Sequence, residues 1–346
     1  MQLKTENMVI AIHHRPGSFS DQWITYCDQE NIAYKIVNCF DNDIIDQLKD
    51  CNALIWHHDH RNLKDVLLAK KILFAIDHAG ILVFPDFRTG WHFDDKVAQK
   101  YLLEAIDAPM VPSNVFYDRE EALAWARSTQ YPKVFKLKGG SSSSNVRLVK
   151  DENQAKKLIH KAFKRGFSQF DRRGNLKERY RRYREGQSSI LGIGKGLARI
   201  FISTKFSKFQ PRERGYVYFQ DFIPNNKYDT RVVVVGNRAV AERRMVRKGD
   251  FRASGSGIFN FNDINLRAIK IAFEISRKAR FQSMAFDFVE DQSGNPLVVE
   301  VSYGFGIKGI SQACGYWDSD LQWHEEKFTP NWILNDLIKF FITLEQ

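Results

Sequence analysis

The feature that most constrains the fold is a strict alternation of short apolar runs with helical stretches over the first ~85 residues. Met8–Ile12, Tyr34–Val37, Ala53–Trp56 and Ile81–Phe84 read as strands, and Gln22–Asn31, Ile44–Asp50 and Val66–His78 between them carry helical spacing. That alternation predicts a parallel sheet with flanking helices. Ligands of such sheets gather beyond the carboxyl ends of the strands. Two polar clusters fall there, His13-His14-Arg15 and His57-His58-Asp59-His60. Neighbouring residues leaving a strand point to opposite faces, so His57 and His58 do not readily chelate one ion. They are expected to be structural loop histidines or a substrate contact, not a metal site.

The middle of the chain changes character. Asp95–Ile106 and Glu120–Ser128 read as helices around the extended segment Val111–Phe116. A strand–loop–strand follows, Lys133–Leu137 and Val146–Val149 around Gly139-Gly140-Ser141-Ser142-Ser143-Ser144, and Gln154–Arg165 is helical. The last third is strand-rich: Tyr216–Ile223, Thr230–Val235 and Ala239–Met245, then a long helix Ile264–Arg280, then Ser283–Glu290 and Leu297–Ser302. The reading is an α/β (α+β) protein in three segments. Residues 1–90 form a parallel α/β domain, 91–215 a linker helix, small sheet and basic insertion, and 216–346 an antiparallel-sheet domain.

Charge is concentrated in that insertion. The chain carries a formal +11, and Lys161–Arg214 alone holds sixteen Lys/Arg against four Asp/Glu, which leaves the remainder close to neutral. Such a segment suits an acidic partner: a carboxylated or phosphorylated glycan, nucleic acid or an anionic surface. A solvated insertion is the plainer alternative. Tyr180, Tyr183, Phe163, Phe167 and Phe170 interleave with the cations and keep single-stranded nucleic acid open. Apolar runs such as Ile72–Ile76 fall far short of the ~18 residues that span a bilayer. Four cysteines (Cys27, Cys39, Cys51, Cys314) without close pairing, and a start lacking the apolar core of a secretory signal, lead to the expectation of a reducing cytoplasm.

Three constellations carry chemistry. In the last hairpin, Asp287 and Glu300 are equidistant from the centre of a six-residue turn, Asp291–Pro296. Symmetric pairing would set the two carboxylates opposite one another, ~4.5–5.5 Å apart at Cβ. A divalent cation such as Mg²⁺ relieves that repulsion and keeps phosphate as a further ligand; Phe286, Phe288, Val299 and Val301 would supply the apolar opposite face. Second, the Ser/Gly loop offers unobstructed backbone N–H groups to an anion. Lys136 and Lys138 on one strand face, with Ser141, Ser142, Ser143 and Ser144, are the candidate phosphate binders; a flexible linker is the alternative reading. Third, Arg231, Arg243, Arg244, Arg247 and Arg252 form a cluster suited to polyphosphate, although Arg238, Arg243 and Arg247 also fit a solvated surface.

The order of these motifs resembles the ATP-grasp superfamily of carboxylate–amine ligases, from roughly Phe93 to beyond Gly306. The resemblance implies an ATP-grasp fold with a small lid sheet, and ATP and Mg²⁺ as cofactors. Lys96, in Asp95-Lys96, is similar to the family's early phosphate lysine, and Lys136 to its second. Gln220-Asp221-Phe222-Ile223 resembles the hinge strand that reads adenine. Asp229-Thr230-Arg231 resembles the segment supplying a ribose contact and a phosphate arginine. Asp287 and Glu300 match the two metal-bridging acids. Ser302 stands where the family usually has Asn, and Ser254 likewise. Arg252–Gly257, Glu300–Tyr303 and Gly315–Asp318 resemble a branch associated with surface-polysaccharide gene clusters.

The implied reaction is amide formation through an acylphosphate, with Arg231, Arg244 and Arg252 as candidate catalytic residues. The substrates would be an acidic sugar or glycan precursor and an amine. Charge stabilisation and positioning carry such chemistry without a protein nucleophile. The alternatives are a peptide or amino-acid ligase, and a non-catalytic ATP- or nucleic-acid-binding module. Tyr316, Trp317, Trp323 and His324, with Asp318, Asp320, Glu325 and Glu326, follow the hairpin as candidate sugar and ammonium contacts; anchoring the tail to the core is the other reading.

Overall fold

A computed structural model describes residues 8–140, 145–168, 212–247 and 250–344. The chain divides into two compact units. Unit 1 comprises Met1–Phe93, Leu102–Met110 and Asn226–Gln346; unit 2 comprises Asp94–Tyr101 and Val111–Asn225.

Unit 1 opens with the parallel sheet that the alternation predicts. Strands β1 (Ile10–His13), β2 (Tyr34–Val37), β3 (Ala53–Ile55) and β4 (Leu82–Phe84) run parallel in the order β2-β1-β3-β4. Ile10, Ile12, Ala53, Ile55 and Phe84 enter one apolar cluster, while Ala11, Leu54, Trp56 and Val83 enter another. A period of two with apolar residues on both faces buries the inner strands β1 and β3 throughout, whereas the edge strand β2 exposes Lys35 and Ile36. The connecting helices are α1 (Phe19–Glu30), α2 (Ile44–Gln47) and α3 (Leu63–His78), followed by α4 (Phe87–Gly90). In α1 the Ser18 side chain accepts from the Ser20 N–H and Asn31 closes the helix at φ 54°, while Phe19, Trp23 and Cys27 form its buried stripe. The helix expected over residues 44–50 stops at Gln47. Leu48 and Cys51 are both buried, and the Cys51 N–H turns back onto the Leu48 carbonyl at 3.0 Å to re-enter the sheet.

Helix α5 (Lys96–Ala105) contributes its first part to unit 2. There, β5 (Ser113–Phe116), β6 (Lys133–Lys136), β7 (Arg147–Val149) and β8 (Val217–Asp221) form an antiparallel sheet in the order β5-β8-β6-β7. Helices α6 (Arg119–Ser128) and α7 (Glu152–Phe163), capped by Asp118 and Asp151, complete its core. Phe167 is buried in that core, 5.0 Å from the Phe135 ring. It is a packing residue and not a stacking platform for bases, as the sequence left open. Most of the basic insertion (residues 169–211) lies outside the described residues.

Back in unit 1, β9 (Tyr228–Val235), β10 (Arg238–Met245), β11 (Phe259–Asn260), β12 (Ser283–Glu290), β13 (Pro296–Ser302), β14 (Tyr316–Asp318) and β15 (Trp323–His324) make a seven-stranded sheet. Its order is β13-β12-β9-β10-β14-β15, with β11 on β10. Helices α8 (Leu266–Ala279) and α9 (Asn331–Leu344) bury Ile269, Ile275, Trp332, Leu334 and Ile338 in the main core. Strands β11, β14 and β15 and helix α9 have no counterpart in the sequence reading. The strands are only two or three residues long, too short for a periodic signal. Among the described residues no helix is long and apolar enough to cross a membrane.

The β12–β13 hairpin reaches its expected pairing by a different route. Glu290 faces Pro296, so the turn has five residues and not six. Asp291 organises it: its Oδ1 accepts the N–H groups of Ser293 and Asn295, both at 2.8 Å, and Gly294 takes φ 76°. A bulge between Asp287 and Phe288 then shifts the register by one, restoring the pairing of Asp287 with Glu300. As a consequence Val298, fully buried, takes the apolar position opposite Phe288 that Val299 was expected to hold.

Candidate functional site

Four adjacent strands of the large sheet, β13, β12, β9 and β10, align a row of charged residues. Glu300 on β13 faces Asp287 on β12, Asp287 faces Arg231 on β9, and Arg231 faces Glu242 on β10. One step along, Asp229 faces Arg244. Residues two apart on a strand share a face, so Asp229, Arg231, Glu242 and Arg244 lie together. Phe286 and Phe288 carry the other face into the core.

Asp287 is the centre of this row. Its carboxylate accepts Arg231 Nε at 2.8 Å on Oδ1 and Arg231 Nη2 at 3.0 Å on Oδ2. Arg244 Nη2 approaches Oδ2 at 2.7 Å. Burial opposes ionisation, but the two guanidinium groups outweigh it and hold this carboxyl well below the usual range. Arg244 also forks onto Asp229, Nε to Oδ1 at 2.7 Å and Nη2 to Oδ2 at 2.6 Å. Burial nevertheless pushes the Asp229 carboxyl upward. Asp229, which the resemblance assigned to ribose, therefore sits among the acids and arginines of unit 1.

Asp287 and Glu300 present hard oxygen donors, and Ser302, two residues beyond Glu300, adds a hydroxyl on the same strand face. No group of three or more His, Cys, Asp or Glu poised for a metal occurs among the described residues. The donor set fits a hard divalent cation that takes its remaining ligands from water and phosphate, as Mg²⁺ does.

Glu242 is the residue that sequence reasoning missed. It is 3% exposed, and its Oε2 is buried with no hydrogen-bond partner. Burial raises its carboxyl to about 7, against the pull of Arg231 and Arg244 and with the push of Asp287 and Asp229. Gly309 backs onto it: a Cβ there would collide with the Glu242 carboxyl group. The alternation of β10 placed Glu242 on the face of Arg244, which was the available signal.

Of the other arginines, Arg252 is held locally, with Nε on Asp250 Oδ1 and Nη2 on Oδ2, both at 2.9 Å. It lies in the loop after β10, off the strands that form the row. Arg243 lies over the Tyr228 ring and donates to the Asp263 carbonyl. Arg238 pairs with Asp336 at 2.5 Å and covers Trp332, so neither is simply solvated.

Unit 2 collects the expected lysines. Lys96 Nζ donates to the Gly140 carbonyl at 2.8 Å, and its N–H donates to the Lys138 carbonyl at 2.9 Å. The Gly140 N–H in turn donates to Asp94 Oδ1 at 2.8 Å. The start of α5 is thus tied to the loop after β6. Lys136, 5% exposed, donates to Gln220 Oε1 at 2.6 Å, and Gln220 Nε2 reaches Ser113 Oγ at 3.1 Å. Lys133 pairs with Asp221 at 2.6 Å. Phe222 and Ile223, half-buried, follow the end of β8. Lys138 is exposed beyond the end of β6 and does not share the burial of Lys136. Ser141, Ser142, Ser143 and Ser144 lie outside the described residues.

At the sheet edge, Trp317 and Trp323 meet edge-to-face at 4.5 Å, with Trp323 44% exposed. His324 Nε2 lies 2.7 Å from Asp318 Oδ2 and holds that carboxyl below its ordinary value.

Two family models match the chain. Residues 209–321 match the RimK-like ATP-grasp domain, and residues 95–196 match the carbamoyl-phosphate synthase L chain ATP-binding domain. No curated protein matches the sequence. Among solved structures, D-cycloserine synthetase is similar at TM-score 0.57 and 12% identity, over 96% of this chain and 99% of that one. The biotin carboxylase domain of Hydrogenobacter thermophilus 2-oxoglutarate carboxylase, in a complex containing MgADP, is similar at 0.55 and 13%, over 95% and 69%. A RimK domain ATP-grasp protein from Sphaerobacter thermophilus matches at 0.50 and 18%, over 85% and 90%. At these identities the likeness is one of fold.

Proposed function

We propose that this chain, whose fold and family matches support the ATP-grasp superfamily, is an ADP-forming ligase joining a carboxylate to an amine. The observation that carries the reading is the row Glu300–Asp287–Arg231–Glu242 with its flanking Arg244. It sets opposed carboxylates beside arginines on one rigid sheet face, which is the chemistry of magnesium-assisted phosphoryl transfer. Bound Mg²⁺ would neutralise phosphate charge, held by Asp287 and Glu300 with Ser302 in reach of the same face. Arg231 and Arg244 fix the Asp287 carboxylate and supply positive charge to the developing phosphate. In unit 2, Lys96 and Lys136 are the nucleotide-phosphate contacts, and Gln220–Ile223 the adenine segment. Arg252 completes the candidate catalytic arginines.

The carboxylate substrate in this reading is an acidic sugar or glycan precursor of surface polysaccharide, and the site of action is the cytoplasm. The branch resemblance of Arg252–Gly257 and Gly315–Asp318 and the basic composition of Lys161–Arg214 support that choice. ADP release measured over a panel of carboxylates and amines, with product mass, tests the reading. A carboxylate- and amine-dependent ADP signal that Glu300→Gln abolishes is expected. ATP turnover unaffected by that change would refute the site.

A further inference from the structure

The parallel sheet carries a second polar cluster that the row does not use. In the order β2-β1-β3-β4, the chain leaves β1 toward one side and reaches β3 on the other. Ligands of open α/β sheets bind beyond the carboxyl ends of such strands, which here are the neighbours β1 and β3. The loops leaving those strands carry Arg15 and His57-His58-Asp59. Arg15 Nη2 reaches the His57 carbonyl at 3.4 Å, and Nη1 lies 3.7 Å from Asp59 Oδ2.

Asp59 is already satisfied by another cation. Arg61 donates Nε to Oδ1 at 3.0 Å and Nη2 to Oδ2 at 2.6 Å, and holds Asp59 ionised despite burial. The neutralising charge on Arg15 is thus distant and shared. Around it, buried polar atoms have no partner: Arg15 Nε, both ring nitrogens of His57, His58 Nε2 and Asp65 Oδ1. His58 is 4% exposed and Asp65 1%. Native proteins leave few such groups unsatisfied, so five in one cluster call for a missing partner. Burial keeps His57 and His58 neutral at pH 7, so Arg15, whose ion pair with Asp59 is a loose 3.7 Å, stands beside them as a cation. Burial raises the Asp65 carboxyl, against the Asp59 N–H that its Oδ2 accepts at 2.7 Å and the nearby charge of Arg15.

An unmatched guanidinium N–H asks for an anionic acceptor, and an unmatched carboxyl oxygen asks for an O–H donor. A ligand bearing both is a hydroxy acid. We propose that the loops after β1 and β3 form the subsite for the carboxylate substrate, with Arg15 binding its carboxylate and Asp65 a neighbouring hydroxyl, as in a sugar acid. This deepens the ligase reading above and rests on it for its place in a reaction.

Titration calorimetry with D-glucuronate, D-glucose and cyclohexanecarboxylate separates the two contacts, and MgATP is titrated into the same samples. Glucuronate is expected to bind the wild type more tightly than either partial probe. Arg15→Met should weaken it about tenfold or more, the loss of a charge-assisted contact, and Arg15→Lys should restore part. MgATP affinity should be unchanged. Asp65→Asn should narrow the preference for glucuronate over cyclohexanecarboxylate, and it serves as the decisive variant if Arg15→Met is not folded by circular dichroism. No glucuronate binding, or binding indifferent to both substitutions, overturns the subsite. Failure of the wild type to bind MgATP would instead overturn the ligase reading and leave the glucuronate result standing.

Discussion

Replacing Glu242 by glutamine tests the electrostatics of the row directly. The carboxyl is raised from an ordinary 4.5 to about 7, with burial as the main cause. A folded state that holds a proton more tightly than the unfolded chain gains stability that is full below 4.5 and lost as pH rises through about 7. Integrating that shift between pH 5 and pH 8 gives a loss of about 2.5 kcal/mol from this one group. Other groups titrate too, Asp287 in the opposite sense, so the informative quantity is the difference between wild type and Glu242→Gln. Glutamine keeps the shape and does not titrate, and any constant effect of its own unpaired amide cancels between the two pH values. Urea unfolding followed by tryptophan fluorescence at pH 5, 6, 7 and 8 should show the variant gaining about 2.5 kcal/mol on the wild type across that range. A difference flat to within about 0.5 kcal/mol would mean that the carboxyl is not the orphaned, desolvated group argued above.

Asp287→Asn should destabilise the protein by about 3 kcal/mol or more, because it strips the counter-charge from buried Arg244 and from Arg231; thermal unfolding checks this. Glu300→Gln, at a half-buried position, should lose turnover with a much smaller stability change, so it is the cleaner probe of the metal site. Lys136→Ala should weaken ATP far more than adenosine in calorimetry, and equal losses would indicate that its bond to Gln220 is its whole role. Gly309→Ala should cost about 1–3 kcal/mol by forcing a Cβ against the Glu242 carboxyl, and much less when Glu242 is alanine, as a double-mutant cycle would show.

Local periodicity made much of the architecture legible in the chain. Alternation over Ile10–Ile12 and Ala53–Trp56 sorts side chains to two faces whatever lies beyond them, and Phe19, Trp23 and Cys27 make a helical stripe by spacing alone. The pairing of Asp287 with Glu300 was readable too, although the assumed six-residue turn was not. The five-residue turn and the bulge each shift the register by one and cancel, so counting from the turn centre reached the right pair while misplacing Val298 and Val299. Which residues cross from one strand to the next was beyond sequence reading. Arg231 and Arg244 converge on Asp287, and Glu242 Oε2 is left without a hydrogen-bond partner, because β9, joined to β10 by a hairpin, also pairs with β12 across more than forty residues. The same holds for Arg15 and Asp59, whose loops meet only because β1 and β3 are neighbours in the sheet. Periodicity is a property of adjacent residues, which a sequence displays; the charge a buried group feels depends on neighbours brought in from elsewhere in the chain, which only the folded structure assembles.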